Sequence, residues 1–237
     1  MKLYPLEPSS RLATNIARIS KKTRMDVLIK GVNMADLDCL VVIGDGTPDD
    51  IAFSIIAFHL NGNGDKIAGI VKPEMEKRYA CIDLIPTYLK GNIRKILILI
   101  DEEDDPLDTI YERIQRGVEE LATGEVKVID EETEERVKVY TGKYGSKNFV
   151  LILVINGLDD IRTGKHSVED HLLKAADEML SVDIGDFENS KAAWKSINHN
   201  LQLEIFNALE PLQQIVKCPH TRDELFDFEL DAMDGNR

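Results

Sequence analysis

Short runs of consecutive apolar residues recur along the chain, separated by stretches in which apolar residues return every three or four positions. Four of these runs predict strands: residues 38–43, 67–71, 95–100 and 149–155. Within them the apolar residues are continuous and do not alternate with polar ones, which is typical of strands covered on both faces. The pattern therefore predicts a sheet with helices on each side.

Helix signals occur between the predicted strands. In three places a capping residue or a proline precedes acids and an apolar helical face: residues 47–50 (TPDD), 105–108 (DPLD) and 167–170 (SVED). Residues 126–129 and 137–140 resemble an additional strand pair at the edge of the sheet. Strands that alternate with helices predict an α/β fold, with a mostly parallel sheet and helices on both faces.

These patterns divide the chain into three parts. Residues 1–37 form a basic N-terminal segment, residues 38–183 form the predicted α/β domain, and residues 184–237 form a helical appendage with an acidic tail. Strand signals end with the second part, whereas helical spacing continues into the third. We therefore expect the appendage to add helices and no strands.

The formal net charge of −14 over 237 residues argues against binding nucleic acid through bulk electrostatics, because that mode needs Lys and Arg to displace phosphate counterions. The N-terminal segment is a local exception, with a group of basic residues and few acids: Arg11, Arg18, Lys21, Lys22, Arg24 and Lys30. This group is interpreted either as a solvated face or as a source of phosphate contacts to nucleic acid.

Cysteine usage and hydropathy indicate the compartment. Cys39, Cys81 and Cys218 are widely spaced and indicate neither a disulfide framework nor a zinc-binding pair. Residues 1–30 lack the apolar core of a signal peptide, and no run approaches the ~18 apolar residues of a membrane span. We expect a cytoplasmic protein without membrane association.

Acidic residues follow three of the predicted strands, at Asp45, at residues 101–105, and at Asp159, Asp160 and Glu169. Because the carboxyl ends of parallel strands share one edge of a sheet, we expect these carboxylates to lie near one another. Clustered carboxylates repel unless a cation neutralises them, and their oxygens suit Mg²⁺. The sequence therefore predicts a magnesium site at this edge.

Helix capping is the competing role for each of these acids. It accounts for Asp104 and Asp105, which we expect to cap the next helix, but not for Asp101 or Glu103, which precede that cap. Asp45 is either a turn residue or a ligand, and Glu169 either stabilises a helix terminus or binds metal. The predicted metal ligands are Asp101, Glu103, Glu169 and Asp45.

The order of elements and three short motifs resemble the Toprim domain of topoisomerases, bacterial primases and overcoming-lysogenization-defect nucleases. The motifs are residues 41–49 (VVIGDGTPD), 99–104 (LIDEED) and 168–173 (VEDHLL). The chain looks closest to the small stand-alone Toprim-related proteins of prokaryotes, over approximately residues 38–180. Ile43 stands where the family has a glutamate, and Glu103 replaces the second aspartate of its Asp-x-Asp motif.

The resemblance implies a Rossmann-like fold, Mg²⁺-dependent phosphoryl chemistry, and catalytic roles for Asp45, Asp101 and Glu103. The leading hypothesis is a metal-dependent protein acting on phosphodiester or phosphate substrates, with nucleic acid contacted by the basic N-terminal segment. Ile43 favours the alternative of a non-catalytic relative that binds a protein partner through its C-terminal helices. A Rossmann-like nucleotide or small-molecule binder is the third hypothesis.

Overall fold

The computed structural model describes residues 1–44, 46–60, 66–74, 78–91, 93–129, 136–180 and 189–207. The strands in these residues are β1 (Lys2–Pro5), β2 (Cys39–Ile43), β3 (Ile67–Val71), β4 (Lys95–Asp101), β5 (Lys127–Ile129), β6 (Val137–Tyr144) and β7 (Lys147–Asn156). The helices are α1 (Arg11–Thr23), α2 (Thr47–Leu60), α3 (Cys81–Lys90), α4 (Leu107–Leu121), α5 (Val168–Leu180), α6 (Ser190–Ser196) and α7 (His199–Asn207). Two 3₁₀ helices are Met34–Asp36 and Arg78–Ala80.

The seven strands form one mixed sheet in the order β1-β3-β2-β4-β7-β6-β5. Strands β1, β3, β2, β4 and β7 are parallel, whereas β6 is antiparallel to both β7 and β5. This confirms the predicted α/β class with a mostly parallel sheet. The two antiparallel strands lie at one end of it, as the polar link between their sequences indicates.

Helices cover both faces of the sheet. The apolar side chains of β4 pack against helices on each face. Ile96, Ile98 and Ile100 point to the face packed by α3 and α4, whereas Leu97 and Leu99 point to the face packed by α1 and α2. Successive side chains of a strand alternate between faces, so both faces of β4 are buried. This is why its sequence contains no polar alternation.

The described parts of the terminal segments, residues 1–37 and 189–207, belong to this architecture, whereas the predicted acidic tail lies outside the described residues. Residues 1–37 supply β1, which pairs with β3, and α1, which packs on α2. Helices α6 and α7 pack against α5, and α7 also packs against α2. Trp194 and Phe206 belong to an apolar cluster with Leu172. None of the described helices has both the length and the hydrophobicity needed to cross a membrane.

The direction of chain winding reverses between β2 and β4. From β2 the chain passes through α2 to β3 on one side, and then through α3 to β4 on the other side. A crevice opens at the carboxyl ends of strands at such a switch point, and ligands of open α/β sheets bind there. Here the two strand ends meet closely, because the amide of Gly44 donates to the carbonyl of Leu99 at 2.7 Å.

Candidate functional site

Asp101 is the last residue of β4, and its carboxylate is fully buried at the switch point. Its Oδ1 accepts a hydrogen bond at 2.9 Å from the backbone amide of Val168, and Val168 is the first residue of α5. The side-chain amide of Asn156, its register partner at the end of β7, lies 3.4 Å from the same oxygen. Asp101 therefore connects β4, β7 and the N-terminus of α5.

Glu103 lies two residues further along the chain in a left-handed backbone conformation, with φ of +56°. Its amide donates to the carbonyl of His166 at 2.7 Å, and the amide of His166 donates back at 2.9 Å. A left-handed conformation costs a non-glycine residue roughly 1 kcal/mol or more, and such residues are enriched at functional sites. This backbone geometry directs the Glu103 side chain towards α6.

Lys191 of α6 joins the two predicted carboxylates. Its Nζ lies 3.5 Å from Oδ2 of Asp101 and forms a salt bridge with Oε1 of Glu103. Burial alone lowers the pKa of Lys191, but the hydrogen bond to Glu103 and the charge of Asp101 outweigh it and raise that pKa above the ordinary lysine value. The ammonium is therefore held in its charged form.

Glu169, the third predicted ligand, is in the first turn of α5 and is only 4% exposed. Burial raises the pKa of its carboxyl group, and the charge of Lys191 offsets part of that effect. Among the described residues, no hydrogen-bond partner contacts its Oε2. Asp101 and Glu103 thus contact one ammonium at the carboxyl edge of the sheet, and Glu169 lies near enough for its charge to act on that ammonium. The ligand atoms of these three residues do not all lie within 4.8 Å of one another.

The sequence predicts the ligand Asp45 at the junction after β2. Asp45 lies outside the described residues, and Ile43 is a buried residue of β2. Asp49, in the first turn of α2, is buried, and its Oδ1 lies 3.3 Å from the Asn156 amide that also contacts Asp101. The junction after β2 therefore brings a carboxylate to the site through Asp49.

The prediction that Asp104 and Asp105 cap α4 is wrong. Pro106 occupies the N-cap position of that helix, without a side-chain capping hydrogen bond. Asp105 accepts hydrogen bonds from Tyr79 at 2.8 Å and Arg78 at 3.0 Å, whereas Asp104 faces Lys165 at 3.4 Å. Donors from other segments compete for these carboxylates, and Pro106 already provides the φ needed at the helix start.

A second group of potential ligands lies next to this site. In the described part of the chain, one group of three brings its ligand atoms within 4.8 Å of one another: Glu102, Asp159 and His166. Arg136 forms salt bridges with both Glu102 and Asp159, and His166 contacts Asp170 at 2.7 Å. One guanidinium therefore already pairs with both of these carboxylates.

Three members of the site were not predicted as ligands from sequence: Asp49, Asn156 and Lys191. Asn156 has a sequence signal, because it ends an apolar strand as Asp101 does. Asp49 is explained equally well as an ordinary first-turn acid. Lys191 has no local signal at all, since it lies 88 positions from Glu103.

The fold and the site define an α/β protein with a carboxylate-rich site at the carboxyl edge of its parallel strands. No protein-family model, curated protein or solved structure matches the chain.

Proposed function

We propose that this protein binds a divalent cation, with Mg²⁺ as the expected ion, through Asp101, Glu103 and Glu169, and acts on a phosphate-containing substrate. The observation that supports the proposal is that Lys191 contacts both Asp101 and Glu103 at the switch point, beside the buried Glu169, whose Oε2 has no hydrogen-bond partner among the described residues. One ammonium does not match the charge of three carboxylates. A divalent cation with oxygen ligands does so better.

Nucleic acid is the proposed substrate class, and a Toprim-like activity is the proposed chemistry. Bound Mg²⁺ polarises a phosphoryl group or lowers the pKa of a bound water. Asp49 supplies the acidic group that Ile43 lacks, because it shares the Asn156 amide with Asp101. Asn156 holds Asp49 and Asp101 in place, and the α5 amide of Val168 orients Asp101.

Calorimetric titration with Mg²⁺ tests the metal site. We expect the parent protein to bind Mg²⁺ and the Asp101→Asn variant to bind it more weakly by about tenfold or more. Asp108→Asn is the matched control, because Asp108 is an exposed acid in the first turn of α4. Its removal changes the net charge equally and should leave the affinity unchanged.

Two outcomes of this titration contradict the proposal. Absence of Mg²⁺ binding by the parent eliminates the site. Loss of binding in Asp159→Asn, with retention in Asp101→Asn, places the ion at the group of Glu102, Asp159 and His166 instead.

A thermal melt of each variant in EDTA checks that it is folded. Hydrolysis of bis-p-nitrophenyl phosphate in Mg²⁺, lost in Asp101→Asn, then distinguishes an enzyme from a non-catalytic relative.

A further inference from the structure

A cavity of about 570 Å³ lies directly beside the carboxylate cluster. Helix α1, the N-terminal end of α2, and helices α6 and α7 form its walls. Glu169 and Lys191 belong to both the cavity and the cluster. The volume is within the usual range of small-ligand sites, which is roughly 300–1,000 Å³.

The charge of this cavity is opposite to that of the protein. The chain has 43 acidic and 29 basic residues, but one acid and five Lys or Arg residues line the cavity: Glu169, with Arg11, Arg18 and Lys22 of α1 and Lys191 and Lys195 of α6. Of these five, only Lys191 forms a salt bridge with a described residue. Within the described residues, no carboxylate forms a salt bridge with the other four, although Arg18 donates to the side-chain oxygen of Asn15 at 3.3 Å and Lys22 lies 3.5 Å from Nε2 of His199. Their positive charges favour an anionic ligand.

Two further features of the cavity match a nucleotide. Helix α2 begins at Thr47 on the wall, and the first amides and the dipole of a helix favour a phosphate. Ile19, Ile51, Trp194 and Phe206 add an apolar surface. A ligand that combines an anionic phosphate with a flat, less polar group is complementary to both parts.

We propose that this cavity binds the phosphate of a nucleotide, either free or at the 5′ end of single-stranded nucleic acid. This inference rests on the proposed function, because the phosphate would lie next to the proposed Mg²⁺ site. Lys191 separates the two regions, since it contacts the carboxylates on one side and lines the cavity on the other. A phosphate held by Arg18 and Lys195 therefore lies beside the carboxylates.

Fluorescence anisotropy of the full chain in EDTA tests this inference without the metal. The probes are fluorescein-labelled single-stranded oligothymidylates that carry either a 5′-phosphate or a 5′-hydroxyl. We expect the parent to prefer the phosphorylated probe. The double variant Arg18→Gln/Lys195→Gln, with one change on each wall, should bind it about tenfold more weakly or worse, since charged hydrogen bonds are lost.

Lys21→Gln/Lys30→Gln is the matched control, because both lysines are exposed in the same N-terminal segment and neither lines the cavity. It removes the same charge and should weaken binding by less than about threefold. Competition with thymidine monophosphate identifies the source: displacement indicates a free nucleotide, and no displacement indicates a strand end.

Equal weakening in the two double variants, or equal affinity for the two probes, overturns the inference, because binding is then nonspecific electrostatics. EDTA removes divalent cations, so such a failure leaves the Mg²⁺ titration unaffected. Conversely, a protein that binds no Mg²⁺ in calorimetry can still bind the phosphorylated probe. The two proposals therefore fail separately.

Discussion

At the scale of single residues, position in the fold gives the same side chain different properties. Asp101 ends β4 and Asp105 lies four residues later, yet Asp101 is fully buried beside Asn156, whereas Asp105 accepts hydrogen bonds from Arg78 and Tyr79. Glu169 is the clearest titratable case, because burial raises its carboxyl pKa above the ordinary value. An ionised Glu169 is therefore a cost to the folded protein when no cation is bound.

The Glu169→Gln variant measures that cost. Since the folded pKa is raised, the folded state holds this proton more tightly, and the parent loses stability as pH rises from the unfolded pKa of 4.5 through the folded pKa. In EDTA at neutral pH we expect the variant to have a free energy of unfolding higher by on the order of 1 kcal/mol. The difference should disappear as pH falls towards 4.5. Urea unfolding at several pH values measures it.

Glu112→Gln serves as the control for removing a negative charge, because Glu112 is exposed on α4. A constant difference between Glu169→Gln and the parent at all pH values would contradict the assignment of the effect to titration of Glu169.

At the scale of elements, helix α6 determines the charge of the site. Its N-cap Asn189 accepts from the amide of Ala192 at 2.9 Å, and the Ser190 hydroxyl donates to Asp170 of α5. These contacts fix the start of α6, so that Lys191 points to the carboxylates and Lys195, one turn later, lines only the cavity. A short helix thereby serves both the proposed metal site and the proposed phosphate site.

Replacing Lys191 by Met should have opposite effects on the two ligands. We expect Mg²⁺ to bind about tenfold more tightly, because an ammonium that competes for the same carboxylates is removed. The phosphorylated probe should bind more weakly, because one cation of the cavity is lost. Calorimetry and anisotropy measure the two affinities.

Lys195→Met is the control, and it should weaken only the phosphorylated probe. If Lys191→Met weakens Mg²⁺ binding instead, the lysine organises the carboxylates and does not compete with the ion.

At the scale of the whole molecule, the described parts of the terminal segments pack into apolar clusters with helices that cover the sheet. Residues of α1, α2, α5, α6 and α7 form one buried group that includes Ile19, Ile56 and Trp194. Trp194 packs edge-on against Phe206, with ring centroids 5.4 Å apart. Because α6 and α7, the described part of the appendage, share this core with helices that cover the sheet, we expect them to fold together with those helices.

The chain has a single tryptophan, Trp194, so its fluorescence can test whether α6 unfolds together with the other elements. Urea unfolding followed by Trp194 fluorescence reports on α6, and far-ultraviolet circular dichroism reports on all elements. We expect the two transitions to coincide, because cooperative domains unfold in one step. A fluorescence transition at clearly lower urea concentration would show that α6 and α7 form an independent unit. Agreement at two protein concentrations excludes association as the cause.

The sequence by itself determined six of the seven described strands, the class of the sheet and the edge on which the acids lie; it did not indicate β1, which lies in the segment expected to be only basic. Continuous apolar runs such as residues 95–100 are local signals of burial on both faces, and the carboxyl ends of parallel strands necessarily share an edge. Asp101 and Glu169 were found as candidates because both lie close to such signals. The sequence also shows that the basic residues of α1 lie in one segment, but it does not indicate which surface of the protein they line.

Only the tertiary structure decided which of these residues meet. Lys191 contacts Glu103 across 88 positions, and Asn156 contacts Asp49 across 107. Helix propensity and capping act over a few residues, whereas these contacts depend on how the helix layers pack against the sheet. The lysine among the carboxylates and the basic cavity beside them arise from that packing, which no local pattern of the chain encodes.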